Sequence, residues 1–265
     1  MLSSGNPALS AVDFAKPQRW ADIEEARPRT MTIAGSISAT AILLGVCAAS
    51  AIAVWSLVPQ NMVIGVGLVS GLAGFVLALV ISFKPRTAQY LGFVYAILEG
   101  AFLAGISLFW VSFAASRQGG EGVVASLDTG LITQSVLLTF GVSGAMLIAY
   151  GARLLRATPM FIKGVFGATI GLLIAVFGSM LLRLFLGSDV VPHIWQMGTL
   201  GIAISAGVVV LAALWLVIDF HIIEEGAASG QPKWMEWYAA FGLLVTLVWL
   251  YVAILRLLAL LQSRE

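Results

Sequence analysis

Three carboxylates sit inside, or at the edge of, long apolar runs, where an acid can do chemistry that a surface acid cannot. Asp219 lies in Leu214-Trp215-Leu216-Val217-Ile218-Asp219-Phe220-His221. A carboxylate in such a run has no bulk water around it, so it is neutral, paired or lining a wet cavity. Acids of this kind mark ion pathways and proton relays. Glu99, in Tyr95-Ala96-Ile97-Leu98-Glu99-Gly100, falls near the middle of another run. A central acid costs about 2.5–3.5 kcal/mol on insertion scales, and Tyr95, one turn earlier, is its candidate partner. Glu236 opens the last run at a shallower depth, where a helix-start carboxylate also suits the helix dipole.

Other constellations fail. Gly141-Val142-Ser143-Gly144 resembles the serine motif of rhomboid intramembrane proteases, with His221 two spans on. Ser143 is near mid-membrane and His221 near one surface, an offset on the order of 10 Å, too long for a base within about 3.2 Å. The last run has no lysine after its start to hold a retinal, and the chain carries neither an HExxH metal motif nor a P-loop. His193 and His221 fall on opposite sides and cannot share a metal, and the lone Cys47 excludes an intrachain disulfide. No enzyme and no cofactor are expected.

The elements that position these acids follow from composition. Hydrophobic residues make up 60% of the chain and charged residues 10%, against about 25% charged in soluble domains. The net charge of +1 provides no basic field for nucleic acid. Seven runs, at about 31–57, 61–83, 88–115, 130–151, 164–187, 197–223 and 235–261, are each long enough for a bilayer core of about 30 Å. Lipid demands internally satisfied backbone, so these are helices. The expected fold is an all-α membrane protein: a cytoplasmic tail over 1–30, a seven-helix domain over 31–261 and a short tail over 262–265. The first run follows about thirty mixed residues, so no cleavable signal peptide is expected.

Ten of the fourteen lysines and arginines fall on one side, among them Lys84, Arg86, Arg153, Arg156 and Lys163. The positive-inside rule then places the N-terminus in the cytoplasm and the C-terminus outside. Asp219 sits roughly 6–8 Å inside the cytoplasmic boundary. Lys84 and Arg86 anchor the end of span 2 and share that side with Asp219, so an ion pair forms if spans 2 and 6 are neighbours. Arg256, near the outer end of span 7, can snorkel to water. Trp234, Trp237 and Tyr238 read as an interface belt. Gly67 with Gly71, Gly167 with Gly171, and Gly141 with Ala145 are spaced four apart, as in closely packed helices.

The segment from Val217-Ile218-Asp219-Phe220 through Lys233-Trp234-Met235-Glu236-Trp237-Tyr238-Ala239-Ala240-Phe241-Gly242 to Trp249-Leu250-Tyr251 resembles the Bax inhibitor-1 family, in particular its bacterial YccA-like branch. Ile81-Ser82-Phe83-Lys84-Pro85-Arg86, Leu98-Glu99-Gly100 and Ser3-Ser4-Gly5-Asn6-Pro7 match that branch as well. The resemblance implies a seven-helix bundle whose last helix is surrounded by the others. It implies a pH-sensitive calcium leak channel or, as in some bacterial relatives, a modulator of a membrane-anchored AAA protease. Asp219 falls on the family's span 6 aspartate, one of a proton-sensing pair, and the match of Leu250-Tyr251-Val252-Ala253 puts the second aspartate at Ala253. The acidic pair is thus broken here. The family's basic latch falls near Lys84 or Arg86.

Two functions follow as expectations. One is a pH-sensitive cation leak in a bacterial cytoplasmic membrane, with Ca²⁺ or H⁺ as permeant ions, Asp219, Glu99 and Glu236 along the pathway and Lys84 or Arg86 as latch. The other is a non-conducting regulator of membrane proteolysis or the stress response.

Overall fold

A computed structural model describes residues 30–117, 129–186 and 198–263. Among them, seven helices are long and apolar enough to cross a membrane. They are α1 (Ile33–Leu57), α2 (Gln60–Phe83), α3 (Ala88–Arg117), α4 (Thr129–Gly151), α5 (Pro159–Leu186), α6 (Thr199–Ala228) and α7 (Met235–Gln262). A single 3₁₀ turn, Pro85–Thr87, joins α2 to α3. The all-helical fold is the one the runs dictate. The expected 1–30 tail, apart from Thr30, and His193 lie outside the described residues.

α7 is the hub, packing on α1, α3, α4 and α6. α2 packs on α3 and, more thinly, on α1, while α5 packs on α6. The faces turned away from these contacts stay apolar. Leu68, Leu72 and Phe75 on α2 and Ile174, Phe177 and Leu184 on α5 are all more than 60% exposed, as helices bathed in lipid require.

Two helix ends differ from the expected spans. α5 begins at Pro159, not near 164. The Thr158 hydroxyl accepts from the Phe161 N–H, and a proline at the first helical position donates nothing to lose. α6 runs to Ala228 rather than ending near 223, because Glu224 to Ala228 keep a helical backbone after the apolar residues stop. Helical propensity and apolar length are independent signals, and here the helix outlasts the apolar run.

Buried hydroxyls are satisfied within their own helices. Ser135, Thr139 and Ser143 each donate to the carbonyl four residues back, at 2.8, 2.7 and 2.6 Å. Such bonds keep the hydroxyl within its own helix. One hydroxyl pair crosses between helices: Ser107 of α3 and Tyr251 of α7 lie 2.9 Å apart in the core.

The glycine expectation holds for α2 and fails for α4 and α5. A Cβ on Gly67 would stand 2.6 Å from the Gly105 Cα, and one on Gly71 would stand 2.7 Å from the Phe102 ring. Gly141, Gly167 and Gly171 meet nothing within 4 Å. Small spacing permits close approach but does not supply a partner, and the α5 glycines have no helix laid across them. The tightest approach to another helix's backbone is elsewhere: a Cβ on Gly100 of α3 would lie 2.2 Å from the Cys47 carbonyl oxygen of α1.

Candidate functional site

Asp219 occupies α6 nine residues before Ala228, about 14 Å of helix from that end. Leu216, Val217 and Ile218 around it are almost fully buried. Its Oδ2 has no solvent contact and no hydrogen-bond partner. Buried polar atoms are nearly always bonded, so an orphaned carboxylate oxygen calls for an explanation. Among the described residues, the polar side chain beside the carboxyl is Thr246 of α7, whose hydroxyl donates to the Gly242 carbonyl at 3.3 Å. Ala253 is buried seven residues further along α7, about 10 Å deeper. The residue beside Asp219 is therefore Thr246, and the position matched to a second aspartate lies two turns away.

The expected ion pair with Lys84 or Arg86 is not formed. α2 packs on α3 and α1 rather than on α6, so the cations at its end do not reach Asp219. Lys84 instead closes α2, its N–H bonding the Val80 and Ile81 carbonyls. Arg86 lies 5.8 Å from the centre of the Trp234 ring, a cation–π contact that ties the 3₁₀ turn to the start of α7.

Glu99 is 8% exposed on α3. The Tyr95 side chain stands beside its carboxylate, as the spacing predicted, and the Tyr95 ring meets Phe241 of α7 edge-on at 4.9 Å. Gly74 of α2 leaves room for the acid: a Cβ there would stand 3.2 Å from Oε1. Glu99 thus belongs to the α1–α2–α3 side of the hub helix, and Asp219 to the α6 side.

Glu236 is a staple between chain segments. Its Oε1 accepts from the Thr32 N–H at 2.9 Å, from the Thr32 hydroxyl at 2.8 Å and from the Lys233 ammonium at 2.8 Å. Thr32 caps α1, so this carboxylate sits on the positive end of the α1 dipole as well as in the first turn of α7. Backbone joins the same two places, with Met31 N–H donating to the Gln231 carbonyl at 2.6 Å. Trp237 and Tyr238 are half-buried here, packed against Phe93 and Phe241. At the other end of α7, the Arg256 guanidinium lies 5.8 Å from the centre of the Trp110 ring.

A further polar cluster escaped the sequence reading. The Tyr150 hydroxyl, at the end of α4, donates to the Glu224 carboxylate and lies 3.4 Å from His221 Nδ1 on α6. His221 Nε2 stands 3.9 Å from Glu225. An aromatic hydroxyl and an acid at matching predicted depth on spans 4 and 6 were the available signal. Among the described residues, no group of three or more His, Cys, Asp or Glu side chains is placed to hold a metal ion.

The geometry therefore gives one acid with a buried, unbonded oxygen against the hub helix, one acid beside a tyrosine, and one acid built into a staple. No curated protein and no solved structure matches the chain. A family model described as Bax inhibitor 1 like matches residues 6–263, nearly the whole length. With its seven apolar helices, the chain is a multi-pass integral membrane protein and belongs to the Bax inhibitor 1 like family.

Proposed function

We propose that the protein is a proton-sensitive leak pathway for cations, calcium foremost, in a bacterial cytoplasmic membrane, with Asp219 as the group that senses protons. The observation that carries the reading is the buried Asp219 Oδ2 without a partner, set against the hub helix beside Thr246. The residues that resemble the YccA-like branch support the bacterial assignment. No catalysis is assigned to the chain.

In this reading, ionised Asp219 takes a charge-assisted hydrogen bond from Thr246 and holds α6 on α7 at the basic end. Such bonds are roughly twice as strong as neutral ones. Acidification protonates Asp219, weakens that hold and lets the two helices part. Permeation then requires only weak cation binding at carbonyl and hydroxyl oxygens, not a closed coordination cage.

Calcium flux into dye-loaded proteoliposomes between about pH 5 and 8, the range that a buried carboxylate spans, tests the reading. The expected result is a leak that rises as pH falls and loses most of its pH dependence in Asp219→Asn. A leak absent at every pH, or a pH profile that survives Asp219→Asn, rejects it in favour of a non-conducting partner of a membrane-anchored AAA protease or of the stress response.

A further inference from the structure

A cleft of about 660 Å³ opens at the basic end of the bundle, between α1 and α4. Those two helices do not pack on one another, so the cleft is a gap in the bundle wall. Ile33 and Ile37 of α1 and Leu147 of α4 flank it, about half exposed, while Leu243 of α7 and Ile223 of α6, each 5% exposed, close it from behind. These flanks belong to membrane-spanning helices, so the open side of the gap faces acyl chains.

The rim has a different chemistry. Arg153 and Arg156, from the connection between α4 and α5, line the cleft. Arg153 has φ 60°, the one positive φ at a non-glycine among the described residues. The left-handed region is unfavourable for a side chain of this size. The reversal is fixed locally, with the Arg153 N–H bonding the Tyr150 carbonyl at 2.9 Å and the Leu154 N–H bonding the Ala149 carbonyl at 2.9 Å. A strained backbone thus puts an arginine, where glycine would fit more easily, at the mouth of an apolar gap. The opposing acid, Glu224, is already engaged by Tyr150, and two arginines against one glutamate leave the rim cationic. Thr158, the cap of α5, also lines the cleft and adds the positive end of that helix.

We propose that this cleft binds an anionic phospholipid of the leaflet at the basic end. The phosphate sits at Arg153 and Arg156, and the upper part of one acyl chain lies along Ile33, Ile37 and Leu147. Arginine suits phosphate through its paired N–H donors. The volume falls within the range of small-molecule sites, enough for a headgroup and part of one chain. The site is independent of whether the protein conducts.

The test uses the full chain in detergent with equal phosphatidylglycerol and phosphatidylcholine, and counts retained lipid by native mass spectrometry. Phosphatidylglycerol should be enriched. Arg153→Gln and Arg156→Gln should each reduce the enrichment roughly fivefold, the equivalent of about 1 kcal/mol per basic residue at an anionic surface. Arg153→Gly should give the same loss while keeping or raising the melting temperature, because it relieves the backbone. That combination separates a lipid contact from a folding role. A photoreactive residue at Leu147 should crosslink to lipid. Equal retention of the two lipids, an enrichment unchanged in the double arginine variant, or crosslinks to residues 1–29 of the chain or to a second copy in place of lipid would each overturn the proposal.

Discussion

Glu236 at the start of α7 accepts both the backbone N–H and the hydroxyl of Thr32, the residue that caps α1. These residues are 204 positions apart in sequence, so the pair joins the first described helix to the last. Hydrogen bonds to a charged group contribute about 1.5–3 kcal/mol. Glu236→Ala should therefore lower stability by about 2–4 kcal/mol in a thermal or denaturant melt in detergent, and Glu236→Gln by less. In a double-mutant cycle with Thr32→Val, the two losses should fall well short of adding. Strict additivity would mean that the contact contributes no coupling.

Glycine substitutions should sort by what lies opposite. Gly100→Ala pushes a methyl against the Cys47 carbonyl at 2.2 Å, and Gly67→Ala pushes one against Gly105 at 2.6 Å. Each should cost about 1–3 kcal/mol through overpacking. Gly167→Ala and Gly171→Ala meet open space and should be neutral or slightly stabilising, since alanine is the better helix former. Melting temperatures of the four variants decide this. A destabilised Gly171→Ala would reveal a helix laid on α5 that the monomer does not contain.

Glu99→Gln should fold and express like the parent, because the amide keeps the shape and can still bond Tyr95. Tyr95→Phe should remove that bond while keeping the ring against Phe241, at a cost of about 1–2 kcal/mol. Size-exclusion profiles and melts report both. A Glu99→Gln variant that aggregates would require a charged, paired Glu99.

Placing a second carboxylate beside Asp219 should depend on register. Thr246→Asp sets two acids together, and like charges resist joint ionisation. The pH response of flux should move toward neutral pH in Thr246→Asp. Ala253→Asp, two turns away, should shift it far less. The reverse ranking would mean that α6 and α7 pair in a different register.

Orientation can be read with reporter fusions. A periplasm-active reporter after Glu265 should give signal and one after Gly230 none. The opposite pattern reverses the placement of the basic end.

The helices and their order were legible in the sequence because lipid leaves the backbone no other arrangement. The Tyr95–Glu99 proximity was legible too, since i,i+4 neighbours meet within one helix. Contacts between helices were not. A helix that is apolar on every face gives no amphipathic signal of which face packs. That is why Gly167 and Gly171 read like Gly67 and Gly71, and why shared depth alone pairs Lys84 and Arg86 with Asp219. The register that sets Thr246 rather than Ala253 beside Asp219 depends on where α6 ends, and α6 continues five residues past its apolar run. The cleft escaped for a related reason: Arg153 and Arg156 read as topology anchors, and nothing in one sequence says that α1 and α4 stand apart above them.

The hub position of α7 has a consequence for biosynthesis. The helix that α1, α3, α4 and α6 all pack against is also the last of the seven to leave the ribosome. Until it is inserted, Leu216, the Asp219 carboxyl and the Thr32 cap have no partner on the far side, and α1, α3, α4 and α6 stand around an unfilled axis. Side-by-side association in lipid depends on packing rather than on water exclusion, so the earlier helices are held only by pairwise contacts during this interval. A stop codon after Gly230 would leave six of the seven spans intact yet remove the core that joins them, and quality control should treat that product as unassembled rather than as slightly shortened.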